Sequence, residues 1–248
     1  RNMKKILLVS GCSFTDKLFI SDYHIKLNTF WPKWPEILAK KLDMEVINLG
    51  KMGAGNEYIY SSLLDAIESV DNIGLVIPAW SQSQRRDWKV KSKWFNNSWY
   101  CNTDWQINQP NSNDMYAYID KSLRYYYSLQ ELCKSKKIPY KAFQMLHIFR
   151  GYTWDKLTQR HIIAPQIDFK TANKELLNHI HNSIYFDKID DSFLGWPGDP
   201  DLGGFSIKSD ILGGYGKESL EWAISARDNH PNEKGQEKIA EFLYDRLG

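Results

Sequence analysis

Residues 4–17 read KKILLVSGCSFTDK, and the fold turns on how this run is parsed. Residues 5–10 carry Ile-Leu-Leu-Val with no polar alternation, the pattern of a strand buried on both faces of a parallel sheet. The apolar run ends at Gly11-Cys12-Ser13 and the chain turns polar. In an open parallel sheet the ligand crevice lies at the carboxyl ends of the strands, which is where Ser13 falls. Gly11 permits a tight turn there. Gly-x-Ser after a strand equally describes a structural turn, so the rest of the chain has to supply partners for Ser13.

Working outward, residues 35–42 have a short helical pattern with Ile37, Leu38 and Leu42 on one side, and residues 44–49 form a second strand. That strand breaks at Gly50, Gly53 and Gly55. A helix follows to about Val70 with Tyr58, Leu63, Leu64 and Ile67 as its stripe, then a third buried strand over 73–79. Strands alternating with helices at this spacing predict a parallel sheet with right-handed crossovers. Periodicity is lost over 81–118, which fills with Trp, Asn, Gln and Ser. It resumes with a helix over 120–136 and a strand near 140–146. Residues 150–220 are again poorly periodic, with the pairs Gly203-Gly204 and Gly213-Gly214, and a helix over 232–247 closes the chain. Long irregular stretches inside a compact domain read as functional loops or lids. The expectation is one domain over 1–248 with lid-like insertions at about 81–118 and 150–220.

Composition narrows the function. The 248 residues hold 32 basic and 30 acidic side chains, a net charge of +2, so charge alone points to neither nucleic acid nor an acidic partner. No stretch reaches the roughly 18 apolar residues of a membrane helix. Lys4 and Lys5 precede only Ile6–Val9 as an apolar run, too short for a signal-peptide core. Cys12, Cys101 and Cys133 are odd in number and far apart, as free thiols in a reducing compartment would be. A cytoplasmic protein is expected. Ten Trp, 14 Tyr and 11 Phe exceed what a core of this size needs, so some rings are expected to line a surface cleft.

The stretch 226–243, ARDNHPNEKGQEKIAEFL, offers Ser13 its partners. His230 stands on the loop before the last helix, and Asp228 is close enough to hold its tautomer. A serine becomes nucleophilic when an imidazole accepts its proton and an acid orients that imidazole. GCSFT and DNHPNEKG together resemble the first and last blocks of the SGNH/GDSL hydrolase superfamily, and VINLGKMGAGN (46–56) resembles the glycine block after its second strand. The resemblance covers about residues 4–90 and 222–247. It implies a flavodoxin-like three-layer α/β/α sandwich with a central parallel sheet of about five strands. It also implies a serine esterase using Ser13 as nucleophile, His230 as general base and acid, and Asp228 to orient it. The amides of Ser13 and Gly53 would hold the oxyanion, with no metal and no cofactor.

Three departures stand out. Cys12 occupies the family's Asp position in the first block, outside the catalytic machinery. Asp228 lies two residues before the His, where the family places its acid three before. After the third strand the family expects Gly-x-Asn-Asp, but this chain reads IPAWSQSQRRDW. Ser81 by its hydroxyl, or Gln82 by its amide, stands in the place of the oxyanion Asn. Trp80, Gln82, Arg85 and Asn56 are candidate substrate contacts. Arg85 and Arg86 could clamp an anion or pair with Asp87, and Asn56 could cap its helix. His179-Ile-His181 lacks a third ligand at metal spacing, Asp199-Pro-Asp201 reads as a turn, and KMGAGNE lacks a P-loop ending. The expected substrate is a small-molecule or glycan ester, with an O-acetylated carbohydrate preferred because rings stack on sugars and an acyl or lipid ester favoured only by a more aliphatic lid. An inactive binding protein and an acyltransferase are the alternatives.

Overall fold

The computed structural model describes residues 3–97, 115–149, 152–155, 160–163, 169–214 and 217–247. Its strands are β1 (Ile6–Ser10), β2 (Glu45–Asn48), β3 (Ile73–Trp80), β4 (Arg86–Val90), β5 (Lys93–Asn97), β6 (Ala142–Gln144), β7 (Tyr152–Asp155), β8 (Arg160–Ile163) and β9 (Phe193–Leu194). Its α-helices are α1 (Trp34–Lys41), α2 (Asn56–Ser69), α3 (Met115–Ser135), α4 (Phe169–His181) and α5 (Glu233–Leu247). A five-stranded sheet runs in the order β2-β1-β3-β6-β9, and every pairing in it is parallel.

The unbroken apolar run of β1 has a direct physical reason. Its side chains alternate between two cores: Leu7 and Val9 enter the one that α1 and α5 cover, and Leu8 enters the one that α2 and α3 cover. β3 splits likewise, with Leu75 and Ile77 on the first side and Val76 on the second. Both faces are packed, so a polar residue there needs a partner, as Ser10 finds in Ser62 Oγ at 2.8 Å, and each fully buried aliphatic side chain contributes about 1.5–3 kcal/mol. The result is the three-layer α/β/α sandwich expected from the sequence, with β1 an inner strand between β2 and β3.

Two differences from the sequence reading are informative. Within 81–118, the β4–β5 hairpin occupies 86–97, turning at Lys91 with φ +53°. Its mixed Lys, Asn and aromatic composition hides the alternation that would reveal strands. Residues 98–114 of that insertion lie outside the described residues, and 115–118 already belong to α3. The fifth strand of the sheet, β9, falls inside the poorly periodic 150–220 stretch and has only two residues, too few for any period to register.

The closing helix is tied to the first turn. Gln236 on α5 is 2% exposed; its Oε1 accepts from Trp34 N at 2.9 Å and its Nε2 donates to Phe14 O at 3.1 Å. The two ends of the chain therefore share one buried amide, and that link holds the His230 loop beside Ser13.

Candidate active site

β1 ends and the chain turns sharply: the amides of Thr15 and Asp16 both donate to Cys12 O, at 2.8 and 3.1 Å. A methyl group at Gly11 would lie 2.3 Å from Thr15 Oγ1, so only glycine fits beneath this turn. Cys12 points into the core and is fully buried, while Ser13 faces the other way, 5% exposed. The next residues lead to Asn48, whose Nδ2 donates to Thr15 O at 2.8 Å and so moors the turn to β2.

His230 arrives from a narrow hairpin. Ala223 and Pro231 form an antiparallel bridge, Ile224 N donates to His230 O at 2.9 Å and Ser225 N to Asp228 O at 3.0 Å. Asn232 then caps α5, its Oδ1 accepting from Gly235 N at 2.9 Å, while its Nδ2 reaches back to Glu221 O and Ala223 O. Asn232 thus both caps the helix and ties down the hairpin.

These loops bring three side chains into one line. His230 Nε2 lies 2.9 Å from Ser13 Oγ, and His230 Nδ1 lies 2.6 Å from Asp228 Oδ1. The two-residue spacing closes because the same carboxylate oxygen also accepts His230 N at 3.1 Å, an Asx turn that swings the acid onto its own imidazole. Asp228 is 1% exposed. Burial opposes its ionisation, yet the hydrogen bonds from His230 and Ser21 outweigh burial and hold its carboxyl below the ordinary value. A carboxylate that stays ionised leaves Nδ1 as the donor and Nε2 free to accept a proton. Aromatic rings wall the imidazole, Phe19 at 4.3 Å and Phe14 at 5.2 Å between centroids.

The glycine block completes the mouth. Gly53 has φ +76°, and a methyl group there would lie 2.6 Å from Asn96 Oδ1 on the β4–β5 hairpin. Lys51 N donates to Gly11 O at 2.9 Å, which sets this loop directly against the Ser13 turn. The amides of Ser13 and Gly53 donate to no protein carbonyl among the described residues, so both are free for a bound oxygen.

The segment after β3 departs from expectation. Trp80 is fully buried in the core against Tyr126, 4.6 Å between centroids; it faces no cleft and is not a substrate contact. Asn56 is 3% exposed and stands at the first turn of α2 rather than capping it, since the N-cap is Gly55. Its Oδ1 accepts Ser81 N at 2.8 Å, and its Nδ2 faces Ser81 O, Ser122 Oγ and Tyr126 OH at 3.0–3.2 Å. Asn56 is therefore a strut pinning the end of β3, with no surface left for substrate. Ser81 is also fully enclosed, its Oγ without a partner among the described residues. A hydroxyl that solvent does not reach is closed to a substrate oxygen in this arrangement. Gln82, 2% exposed, is next in line.

Arg85 is 9% exposed and donates through Nη1 to Ala54 O at 3.2 Å. Asp87, the partner expected for it, instead accepts Gly55 N and Tyr58 N at 2.9 Å each, covering the amides at the start of α2. Burial pushes the Asp87 carboxyl up, and those two amides pull it partly back. A carboxylate seated there also repels phosphate, in keeping with the missing P-loop ending. Arg86 stacks over Tyr118 at 5.3 Å. His179 bonds Asp120 at 2.6 Å, and Asp199 accepts Asp201 N at 2.9 Å in the turn expected of it.

The sequence reading missed Phe14, Phe19, Ser21 and Gln236. All but Gln236 sit in an aperiodic stretch where no spacing marks them, and Gln236 shows only as a polar residue on the inward side of α5.

With this geometry in view, comparison with solved structures is direct. A catalytic mutant of Axe2, an acetylxylan esterase from Geobacillus stearothermophilus, superposes with TM-score 0.50 at 12% identity over 100% of this chain and 96% of that one. A protein assigned to the G-D-S-L lipolytic family from Desulfitobacterium hafniense gives 0.48 at 14% identity, covering 97% and 98% of the two chains. The psychrotrophic esterase EstA from Pseudoalteromonas gives 0.45 at 12% identity over 98% and 96%. At 12% identity the likeness to the acetylxylan esterase is one of fold, a central parallel sheet between two helical layers. No protein-family model matches the sequence, and no curated protein matches it.

Proposed function

We propose that the protein is a serine esterase that works through an acyl-serine intermediate. The observation that carries this reading is the unbroken line Ser13 Oγ, His230 Nε2, His230 Nδ1, Asp228 Oδ1 at 2.9 and 2.6 Å, assembled from residues 217 positions apart. His230 would take the Ser13 proton as Oγ attacks the ester carbonyl carbon. The carbonyl oxygen becomes an oxyanion held by the amides of Ser13 and Gly53, with the Gln82 side chain the remaining candidate donor in place of Ser81. One such donor is worth about 100- to 1000-fold in rate. Collapse expels the alcohol, which leaves with the proton from His230. Water, deprotonated by the same imidazole, then releases the acid and restores Ser13. An acceptor alcohol in place of that water would make the same site an acyltransferase.

An O-acetylated carbohydrate is the substrate class we prefer, on the aromatic content of the chain. A specific observation favours a second reading, an ester with a longer apolar acyl group. Leu18, Ile20, Tyr23 and Ile25 are each at least half exposed on the segment that carries Phe19 onto His230, a largely apolar stretch of surface next in sequence to the ring that touches the imidazole. The test is turnover of p-nitrophenyl acetate, p-nitrophenyl octanoate and acetylated xylan by wild type beside Ser13→Ala. Ser13-dependent turnover is expected, and the preferred chain length decides between the two readings. Equal rates for both proteins on all three esters, with no Ser13-dependent labelling by a fluorophosphonate, would leave a non-catalytic binding protein.

A further inference from the structure

Ser21 lies between the Ser13 turn and α1, in a stretch without regular secondary structure. It is fully enclosed, and its Oγ donates to Asp228 Oδ2. Two details fix the direction of that bond. The amide of His24 donates to Ser21 Oγ at 3.0 Å, which occupies a lone pair and leaves the hydroxyl proton for the carboxylate. An ionised carboxylate, in turn, only accepts. The other oxygen, Oδ1, already takes Nδ1 and N of His230. A second tie runs alongside: His24 Nε2 meets Ser225 Oγ at 2.8 Å, and that hydroxyl oxygen accepts Asp228 N at 3.0 Å and Arg227 N at 3.2 Å.

We propose that Ser21 is a positioning residue for the catalytic acid, with residues 19–24 acting as a clasp that holds the Asp228 loop in register with His230. The inference rests on the Ser-His-Asp reading and adds a fourth member to it. A carboxylate bonded at one oxygen can rotate about its last torsion, which is broad and roughly two-fold. Bonded at both oxygens by donors from opposite sides, it is locked, and the imidazole it orients is locked with it. Ser21 gives up no proton during the reaction: His230 alone relays protons, from Ser13 to the leaving alcohol and then from water back to Ser13. Its contribution is direction alone. The sequence shows no trace of this, because Ser21 and Asp228 are 207 positions apart and neither the strap nor its spacing follows a motif.

The experiment uses the full chain with Ser21→Ala and Ser21→Cys, beside Ser13→Ala. Removing an outer partner of a metal-bound histidine typically costs about 10- to 100-fold, and a loss of similar size is expected for a partner standing one step behind this imidazole. Ser21→Ala is expected to lose that much in kcat on p-nitrophenyl acetate with KM within about twofold. Its acid limb in the pH–rate profile should move to higher pH, because a carboxylate stripped of a donor turns more negative charge toward the imidazolium. A merely loosened loop would leave that limb in place. Ser21→Cys keeps the side chain's shape and a weak donor, so it should fall between the two and covers the case in which Ser21→Ala does not fold. The His230 Nδ1 proton resonance, read by NMR on folded protein, should shift or broaden in Ser21→Ala whether or not a substrate is found. Wild-type kcat, an unmoved limb and an unchanged resonance would overturn the role of Ser21. Turnover that persists in Ser13→Ala would instead overturn the triad reading, and the resonance alone would then decide whether Ser21 orients the His230–Asp228 pair.

Discussion

Asn56→Ala removes the strut at the end of β3, and its cost can be worked bond by bond. Three of the four groups that touch the Asn56 side chain keep another partner. Ser81 O still accepts Gln144 Nε2 at 2.8 Å, Tyr126 OH still donates to Gln144 Oε1 at 3.1 Å, and Ser122 Oγ still donates to Tyr118 O at 3.0 Å. Ser81 N is different: Asn56 Oδ1 is its acceptor, and Ser81 is fully buried. An orphaned buried amide costs about 1–3 kcal/mol, and the lost side-chain bonds add roughly 1 kcal/mol net. The expected destabilisation is therefore about 2–4 kcal/mol, read from urea unfolding at constant m-value. For a chain of this size each kcal/mol lowers Tm by about 2–4 °C, so a fall of roughly 4–16 °C should accompany it. A loss below about 0.5 kcal/mol would refute the reasoning, since it would mean that water or a backbone shift satisfies Ser81 N at no cost. Esterase activity at a temperature where the variant stays folded should also fall, because the same amide sets where Gln82 begins.

Other expectations follow from the same accounting. Asp87→Ala strips the acceptor from Gly55 N and Tyr58 N and should cost about 1–2 kcal/mol, as losing a helix cap does, in a thermal melt. Gly53→Ala must hold φ +76° and displace Asn96; a left-handed residue other than glycine costs about 1–2 kcal/mol, and kcat should drop more than stability if the Gly53 amide contacts the oxyanion. The pH window of Asp228 has a definite sign. Its folded carboxyl titrates below the ordinary value, so its stabilisation is fully present above the unfolded value near 4 and is lost as pH falls through the lower folded one. The stability gap between wild type and Asp228→Asn should accordingly be widest near neutral pH and close under acid. Cys133, fully buried with its thiol pushed up to about 12 by burial, should resist iodoacetamide in the native protein and react only on unfolding.

How much of this was legible in sequence depends on what each residue answers to. The buried strands β1 and β3 announce themselves because both faces demand apolar side chains, and α2 and α5 because a single face does. Ser13, Asp228 and His230 were legible as chemistry flanked by turn residues, and the fold brings all three together. The oxyanion candidates were not. Ser81 and Trp80 sit at the expected strand end, yet their depth is set by Asn56, Gln144 and Tyr126, a network whose members are spread from 56 to 144. Sequence carries no sign of such convergence. Ser21 was hidden for the same reason. The aromatic excess, expected partly in a cleft, divides between core rings such as Trp34 and Trp80 and half-exposed ones such as Trp88 and Phe95. Composition cannot sort those two fates, because ring count says nothing of which face a ring occupies. Among the described residues, no helix is long and apolar enough to cross a membrane.

One measurement bears most directly on the central claim, that an imidazole from the last loop activates a hydroxyl from the first turn. Intact protein is treated with a fluorophosphonate, and the modified peptide is located by mass spectrometry in wild type and in His230→Ala. The account predicts a single adduct on Ser13, formed at least 100-fold more slowly without the imidazole, in line with the contribution of a general base. Labelling of Ser13 at the same rate in both proteins, or an adduct that settles on another residue, would contradict it.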